Sequence, residues 1–340
     1  MRRRDFLHTT AALVTAAKAS SLLADETPQR QAMTVTGFVD ANQLGTVLPH
    51  EHVMVDFVGA DQVNRDRYDR DEVFKVVLPH LKKAKQAGSD TLVECTPAYL
   101  GRDPVLLKRL SETSNMYLLT NTGYYGARDG KFLPGYVRRE NADQLATRWL
   151  DEWKSGIAGS GVRPGFIKIG VDNGPLTEVN QKLVRAAART HLESGLTIAC
   201  HTGDGAAAMQ EMAILREEGV HPSGWIWVHS QNEQDQKLHI RAAEQGGWVE
   251  FDGIGPQTIE RHVELIRNMK QRGLLGRVLL SHDAGWYSVG EPKGGKFRPY
   301  TTLFEQFLPA LQKAGFSNEE VRLLTDRNPA EAFAVRVRER

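Results

Sequence analysis

His50 and His52 flank Glu51 at the end of an apolar run, and this spacing is the first chemical signal in the chain. Residues i and i+2 of a strand point to one side, so both imidazoles face one way and Glu51 the other. Neutral imidazole is a good ligand for zinc and neighbouring divalent metals. Four more polar residues close or interrupt apolar runs further along. Lys168 lies inside Gly-Phe-Ile-Lys-Ile-Gly, His201 ends Thr-Ile-Ala-Cys-His, His229 ends Trp-Ile-Trp-Val-His, and Asp283 ends Val-Leu-Leu-Ser-His-Asp. Each has an ordinary reading by itself. A strand-end histidine is often a satisfied core or rim residue, and Asp283 could cap a helix. Lys168 is less easily set aside, because an unpaired ammonium among apolar neighbours must pair or lose its charge.

The elements that must position these six residues follow a regular beat. Apolar, β-branched runs at Thr46–His50, Thr91–Thr96, Met116–Thr122, Gly165–Val171, Thr197–His201, Trp225–His229, Trp248–Asp252 and Arg277–Asp283 predict eight strands. Helical periodicity fills the intervals at Asp71–Ala87, Pro104–Thr113, Ala142–Ile157, Leu176–Ser194, Asp204–Glu218, Asp235–Gln245 and Thr258–Arg272, and again at Tyr300–Ala314. Gly88, Gly195, Gly273 and Gly315 stand where helices should stop. Short helices are expected at Asn318–Leu324 and from Pro329. Strands without polar alternation imply burial on both faces, as in a parallel sheet. Eight uninterrupted β-α units favour an α/β fold of the (β/α)₈ TIM-barrel type, in which strand C-termini converge on the active site. Before the beat begins, Met33–Asp40 reads as a short strand pairing with Gly45–Leu48. The segments Gly126–Glu140 and Gly285–Arg298 read as excursions over the barrel mouth.

The chain has 340 residues, 41% hydrophobic and 25% charged, with a formal net charge of +1. Residues 1–24 carry +3 of that, leaving 25–340 at −2, which gives no basic excess for nucleic acid. Arg3-Arg4-Asp5-Phe6-Leu7, followed by a modest apolar stretch and small residues, reads as a twin-arginine signal peptide over 1–24. The expectation is an exported protein, periplasmic or secreted, with one barrel domain over 25–340 and no stable membrane insertion. Cys95 and Cys200 sit in apolar runs and read as buried core residues.

Taken together, His50-x-His52, Lys168, His201, His229 and Asp283 on strands one, four, five, six and eight resemble the phosphotriesterase family of the amidohydrolase superfamily, including its lactonases. Gly45-Thr-Val-Leu-Pro-His-Glu-His52, Phe166-Ile-Lys-Ile-Gly170, His201-Thr-Gly203 and Leu280-Ser-His-Asp283 are similar to that family's signatures. The resemblance implies a metallo-dependent hydrolase holding two divalent ions, zinc first among them. His50, His52 and Asp283 would hold the more buried metal, and His201 and His229 the more exposed one. Lys168 would be carboxylated at Nζ to a carbamate bridging both, since a carbamate forms on a neutral amine and removal from water favours that form. A metal-bridging hydroxide would attack an ester-type bond, with Asp283 as proton acceptor. A homodimer is implied by the same resemblance.

The surroundings depart from the best-studied relatives. Their proton relay runs from the strand-eight Asp through a His after strand seven to an Asp after strand six. Here Gly253 and Asn232 stand at those places, with Glu233 and Asp252 as substitutes to consider. Tyr125 falls where the lactonase branch carries a Tyr near the hydroxide, against an ordinary reading as a rim aromatic. Trp286 and Tyr287, with Tyr125 and Asp252, are expected to wall the substrate pocket, and His282 to be structural. The reading is hydrolysis of a small-molecule lactone or carboxylic ester. A phosphotriester or other phosphoester is the alternative, and a catalytically weak metal- or ligand-binding barrel the second.

Overall fold

The computed structural model describes residues 30–339; the expected signal segment lies outside them. A two-stranded antiparallel hairpin, β1 (Gln31–Thr34) and β2 (Gly37–Asp40), opens the structure. The expected pairing with Gly45–Leu48 does not form. A turn at Val35-Thr36 folds the strand back on itself, and Ala41–Leu44 becomes a 3₁₀ turn capped by Asp40.

Ten parallel segments follow. They are β3 (Val47–Val55), β4 (Thr91–Glu94), β5 (Tyr117–Leu119), β6 (Asn121–Thr122), β7 (Phe166–Gly170), β8 (Ile198–His201), β9 (Trp225–Val228), β10 (Trp248–Phe251), β11 (Val278–Leu280) and β12 (Ala284–Ser288). Two pairs of them are halves of one barrel strand. Thr120 separates β5, which pairs with β4, from β6, which pairs with β7. Residues 281–283 separate β11, which pairs with β10, from β12, which pairs with β3. The Asp283 N–H donates to the His50 carbonyl at 3.1 Å across that junction. Each strand thus has a parallel neighbour on both sides, and the ring is a (β/α)₈ barrel.

Helices α1 (Arg70–Ala87), α2 (Pro104–Ser114), α3 (Ala142–Ser155), α4 (Glu178–Ser194), α5 (Gly205–Glu217), α6 (Gln236–Glu244) and α7 (Ile259–Gln271) surround it. Their ends follow from local chemistry. Asp103 caps α2 ahead of Pro104, Asn141 and Gln144 form a reciprocal capping box on α3, and Gly195 ends α4 in the left-handed region. The helix expected at Tyr300–Ala314 begins later, as a π-helical turn at Leu303–Phe307 leading into α8 (Leu308–Lys313). Past Ala314, α9 (Asn318–Arg322), a second π-helical turn and α10 (Asn328–Ala332) run on without a break, where two separate helices were expected.

Two cores result. One lies between strands and helices, and includes Leu48, Ile167, Ile169, Trp227 and Phe251. The other fills the barrel itself, with Val47, Val93, Leu119, Phe166, Ala199, Ile226, Trp248 and Leu279. Phe333, from the end of the chain, joins this inner cluster and meets the Phe166 ring edge-on at 5.5 Å. Ala32 of the hairpin joins it as well. This packed layer is the floor on which the polar residues stand.

Candidate metal centre

Strand alternation carries the inner face from apolar floor to polar mouth. Two residues beyond Phe166 comes Lys168, two beyond Ala199 comes His201, and two beyond Leu279 and Ser281 comes Asp283. Two beyond Trp248 comes Glu250, and then Asp252. The remaining histidines need backbone irregularities. Between Leu48 and Glu51 the β3–β4 register slips by one residue. Val47 therefore faces inward below this bulge, and His50 and His52 face inward above it. On strand six, Ile226 and Val228 belong to the inner core, so simple alternation would send His229 outward. His229 instead adopts φ +64°, and that left-handed turn brings its ring to the mouth. Asp283 (φ +49°) and Trp286 (φ +46°) are also left-handed. The structure thus brings together all six residues of the expected ligand set around one pocket, with Tyr125 and Trp286 in its wall.

The donor set fits divalent cations. His52 Nε2 lies 3.1 Å from Asp283 Oδ1, and His50 Nε2 lies 3.8 Å from the same oxygen. One ligand atom from each of these three residues falls within 4.8 Å of the others. The His201 and His229 rings are 4.5 Å apart, and His229 is 5.1 Å from His50. Behind the rings, the other nitrogens are held. His50 Nδ1 meets Glu250 Oε2 at 3.0 Å, and His229 Nδ1 meets Asp252 Oδ1 at 2.7 Å. The Thr96 hydroxyl donates to the Met54 carbonyl, so it accepts from His52 Nδ1 at 2.8 Å. Each of these contacts leaves Nε2 as the free lone pair aimed into the pocket, the usual way protein groups orient metal-binding imidazoles.

At His201 and His52 electrostatics favour the same state, whereas His50, despite its burial, is raised well above its ordinary value by Cys95 and Asp252. Burial pushes His201 well below its ordinary value, with His229 and Lys168 alongside adding to the effect, so it stays a neutral donor. Burial also lowers His52, although Asp283 pulls the other way. Burial would raise Asp283 and Asp252, but the facing histidines outweigh it and keep both carboxyls below their ordinary range. Glu250 is pushed up to about 7 by burial, and one of its oxygens has no partner.

Several placements differ from the sequence reading. Asp252 does not wall the pocket: it is fully buried beneath His50 and His229, and receives the His229 N–H and the Gln231 amide. Tyr287 points away, into the core beneath α1, with its hydroxyl donating to Glu72 at 2.8 Å. It follows left-handed Trp286, which takes the mouth-facing position. Glu233 accepts the N–H groups of Gly205 and Asp235 and plays no part in the site. A Cβ on Gly253 would lie 2.9 Å from the Gln231 amide, so Gln231 fills the space of a side chain there, and Asn232 is exposed. No relay can be traced from Asp283 through either position. His282 is structural, donating to Glu51 at 2.6 Å and accepting the Leu303 N–H. Glu51 also takes the N–H groups of His282 and Ala284 and the Ser281 hydroxyl, which stitches β3 to strand eight. Glu250 and Gln231 carry no motif of their own. Only counting inward positions up from Trp248 would have found the former.

The Tyr125 hydroxyl lies 3.0 and 3.2 Å from the two His201 ring nitrogens. Gly170 makes room for this ring, since a Cβ there would meet it at 2.8 Å. Burial pushes the Tyr125 phenol up, so it remains a hydrogen-bond donor. Phe57 meets Phe132 and Trp286 edge-on at 6.3 and 6.2 Å, and the three rings line the outer wall of a cavity of about 130 Å³.

Comparison with known proteins agrees with this geometry. The sequence model of the phosphotriesterase family matches residues 30–333. A phosphotriesterase homology protein of Escherichia coli is 28% identical over 85% of this chain and 98% of its own length. An aryldialkylphosphatase of Saccharolobus solfataricus is 27% identical over 87% of this chain and 97% of its own. An N-acetyltaurine hydrolase of Homo sapiens is 22% identical over 88% and 96%. The solved organophosphorus hydrolase of Deinococcus radiodurans superposes with a TM-score of 0.80 at 28% identity, over 90% of this chain and 97% of that one.

Proposed function

This chain belongs to the phosphotriesterase family, whose members are binuclear metal-dependent hydrolases, and from that premise we propose that it hydrolyses a small lactone or carboxylic ester. His50, His52 and Asp283 are proposed to hold the inner metal, and His201 and His229 the outer one. Lys168, if carboxylated at Nζ, would offer a further anionic ligand between them. When bound, two zinc ions would supply Lewis acidity and a hydrolytic water activated near neutral pH. The protein's own residues do the rest. Asp283, kept ionised, accepts a proton. Tyr125, kept protonated, donates to the substrate oxygen on which charge develops. The Gln231–Asp252 pair holds His229 in one tautomer. Phe57, Phe132 and Trp286 exclude water from the reacting bond.

The observation that carries the ester reading is the Tyr125 hydroxyl fixed against His201 at the mouth. The size of the cavity supports it. About 130 Å³ is well under the several hundred Å³ usual for drug-sized ligands, and suits a compact acyl group better than a bulky phosphotriester. The missing relay points the same way. The test is a panel of lactones, aryl esters and diethyl aryl phosphates, assayed on the chain reconstituted with zinc and bicarbonate. Lactones are expected to lead. Tyr125→Phe should lower their kcat by about 100-fold with metal content unchanged. A wild-type preference for phosphotriesters would reverse the assignment.

Two further proposals concern the chain as a whole. The Arg3-Arg4 pattern supports export by the twin-arginine route, and the family supports a homodimer. No helix among the described residues is long and apolar enough to cross a membrane.

A further inference from the structure

Most arginines near the barrel top are neutralised. Arg67 pairs with Asp56 at 2.5 Å, Arg70 with Asp103 at 2.6 Å, and Arg102 with Glu152 at 2.6 Å. Arg128 is different. It lies on the loop after strand three, lines the same pocket as the metal-ligand set, and pairs with no carboxylate among the described residues. Asp172 engages only its backbone, accepting the Arg128 N–H at 2.6 Å. That contact anchors the loop and leaves the guanidinium beside the Phe57 ring, 5.8 Å from its centroid. Two other cations reach the aromatic wall, and each already donates to a carbonyl, although the buried Arg298 Nε has no partner. Lys131 donates to the Phe57 carbonyl at 2.7 Å, and Arg298 stacks 4.0 Å over Trp286 while donating to the Asp283 carbonyl.

The backbone at Arg128 strengthens the contrast. Arg128 and Asp129 are both left-handed, at φ +58° and +55°. Glycine or asparagine would adopt that conformation more readily than arginine. A loop built only to turn would not need a long cation there. This one places an exposed guanidinium, with donors that no protein group uses, on the lining of a small pocket.

We propose that Arg128 is a specificity-determining residue that pairs with a carboxylate, or an equivalent anion, carried by the ester substrate. The proposal rests on the ester-hydrolase reading of the site. A guanidinium suits this task because its planar fork matches a carboxylate at two points. With the carbonyl at the metal end and the anion at Arg128, a short substrate is held at both ends, which fixes its reacting bond in place.

The test compares two five-membered lactones on the zinc-reconstituted chain, one bearing a ring carboxylate and the other the corresponding primary carboxamide. Wild type should favour the carboxylate. Arg128→Ala should lower the carboxylate-to-carboxamide ratio of kcat/KM by about 10- to 100-fold, the span expected for a charge-assisted hydrogen bond. Arg128→Lys should retain part of the preference, and Lys131→Ala should change it far less. Calorimetric binding of glutarate against butyrate gives a second readout that needs no turnover. Wild type should prefer glutarate, and Arg128→Ala should lose that preference. If neither lactone is hydrolysed but the glutarate preference depends on Arg128, the ester reading fails and the anion site stands. Lactone turnover with no carboxylate preference, or a preference that survives Arg128→Ala, overturns the inference and leaves the ester reading intact.

Discussion

The floor and the mouth of the barrel are built from the same eight strands but obey different rules. At the floor, alternation is regular and the inward residues form an apolar cluster, from Val47 through Phe166 and Trp248 to Leu279, with Phe333 packed beneath them. At the mouth the regularity breaks. A bulge re-aims His50 and His52, left-handed backbone re-aims His229 and Trp286, Asp283 is itself left-handed, and the buried carboxyls Glu94 and Glu250 each keep an unpartnered oxygen. Left-handed non-glycine residues cost of order 1–3 kcal/mol each, and persist only where surrounding structure holds them. The floor supplies that support. The difference between the ends is a division of labour, with stability concentrated below and chemistry above.

The largest expected effect comes from breaking the mouth. Lys168 is 2% exposed and stands directly above Phe166 on β7. Lys168→Ala should reduce turnover by a factor of about 1,000 or more, because it removes the proposed bridge between the two metals. Metal analysis should then fall below two equivalents per chain, while the melting temperature of the metal-free protein changes little. Full activity in Lys168→Ala would sink the site assignment.

Breaking the floor should do the reverse. Phe333 is 1% exposed, and its ring meets Phe166. Phe333→Ala should destabilise by about 3–5 kcal/mol, the usual range for truncating a buried phenylalanine. Denaturant titration reads that loss. Turnover per folded molecule at low temperature should stay within about twofold of wild type, since effects on sites this far apart are usually independent. A large loss of kcat in the folded fraction would mean that the two ends are coupled.

The contrast also explains what the sequence discloses. The eight strands, most helices and the six-residue constellation are legible because burial on both faces and convergence at strand ends leave marks in residue type. His-x-His, the lone lysine in an apolar strand and the Ser-His-Asp ending are such marks. What is illegible is what depends on single backbone angles. Nothing in Trp286-Tyr287 says which aromatic faces the mouth, and φ +46° at Trp286 decides it. Asp252 reads as a wall residue because its position at a strand end is visible and its depth is not. Glu250 carries no signal beyond its spacing from Trp248. The hairpin β1–β2 departs from the expected pairing because a local turn at Val35-Thr36 competes with a longer-range pairing, and short-range closure prevails.

The smallest effect sharpens the boundary between the two regions. Glu211, on α5, is a fully buried carboxyl in the wall, outside the metal-ligand set. Burial pushes it up to about 8, against hydrogen bonds from Thr202 and Trp225. The Trp225 indole donates to one oxygen at 2.8 Å, and the other lies 2.9 Å from the Thr202 hydroxyl. That hydroxyl also reaches the Cys200 carbonyl at 2.9 Å, so a protonated Glu211 can donate to Thr202 while Thr202 donates onward. The folded protein keeps this proton up to about pH 8, whereas the unfolded chain releases it near the ordinary glutamate value. Between those limits the native state binds more protons, so stability falls as pH rises, and levels off above about pH 8. Glu211→Gln keeps the same pattern, with its carbonyl accepting from Trp225 and its amide donating to Thr202. The variant should melt like wild type near pH 5, and a few degrees higher near pH 8.5. Thermal melts across that range check the slope, and matching turnover at each pH would place Glu211 with the wall. If Glu211→Gln removed activity without altering the pH slope of stability, the carboxyl would belong to the chemistry of the mouth, and the boundary would have to be drawn one layer lower.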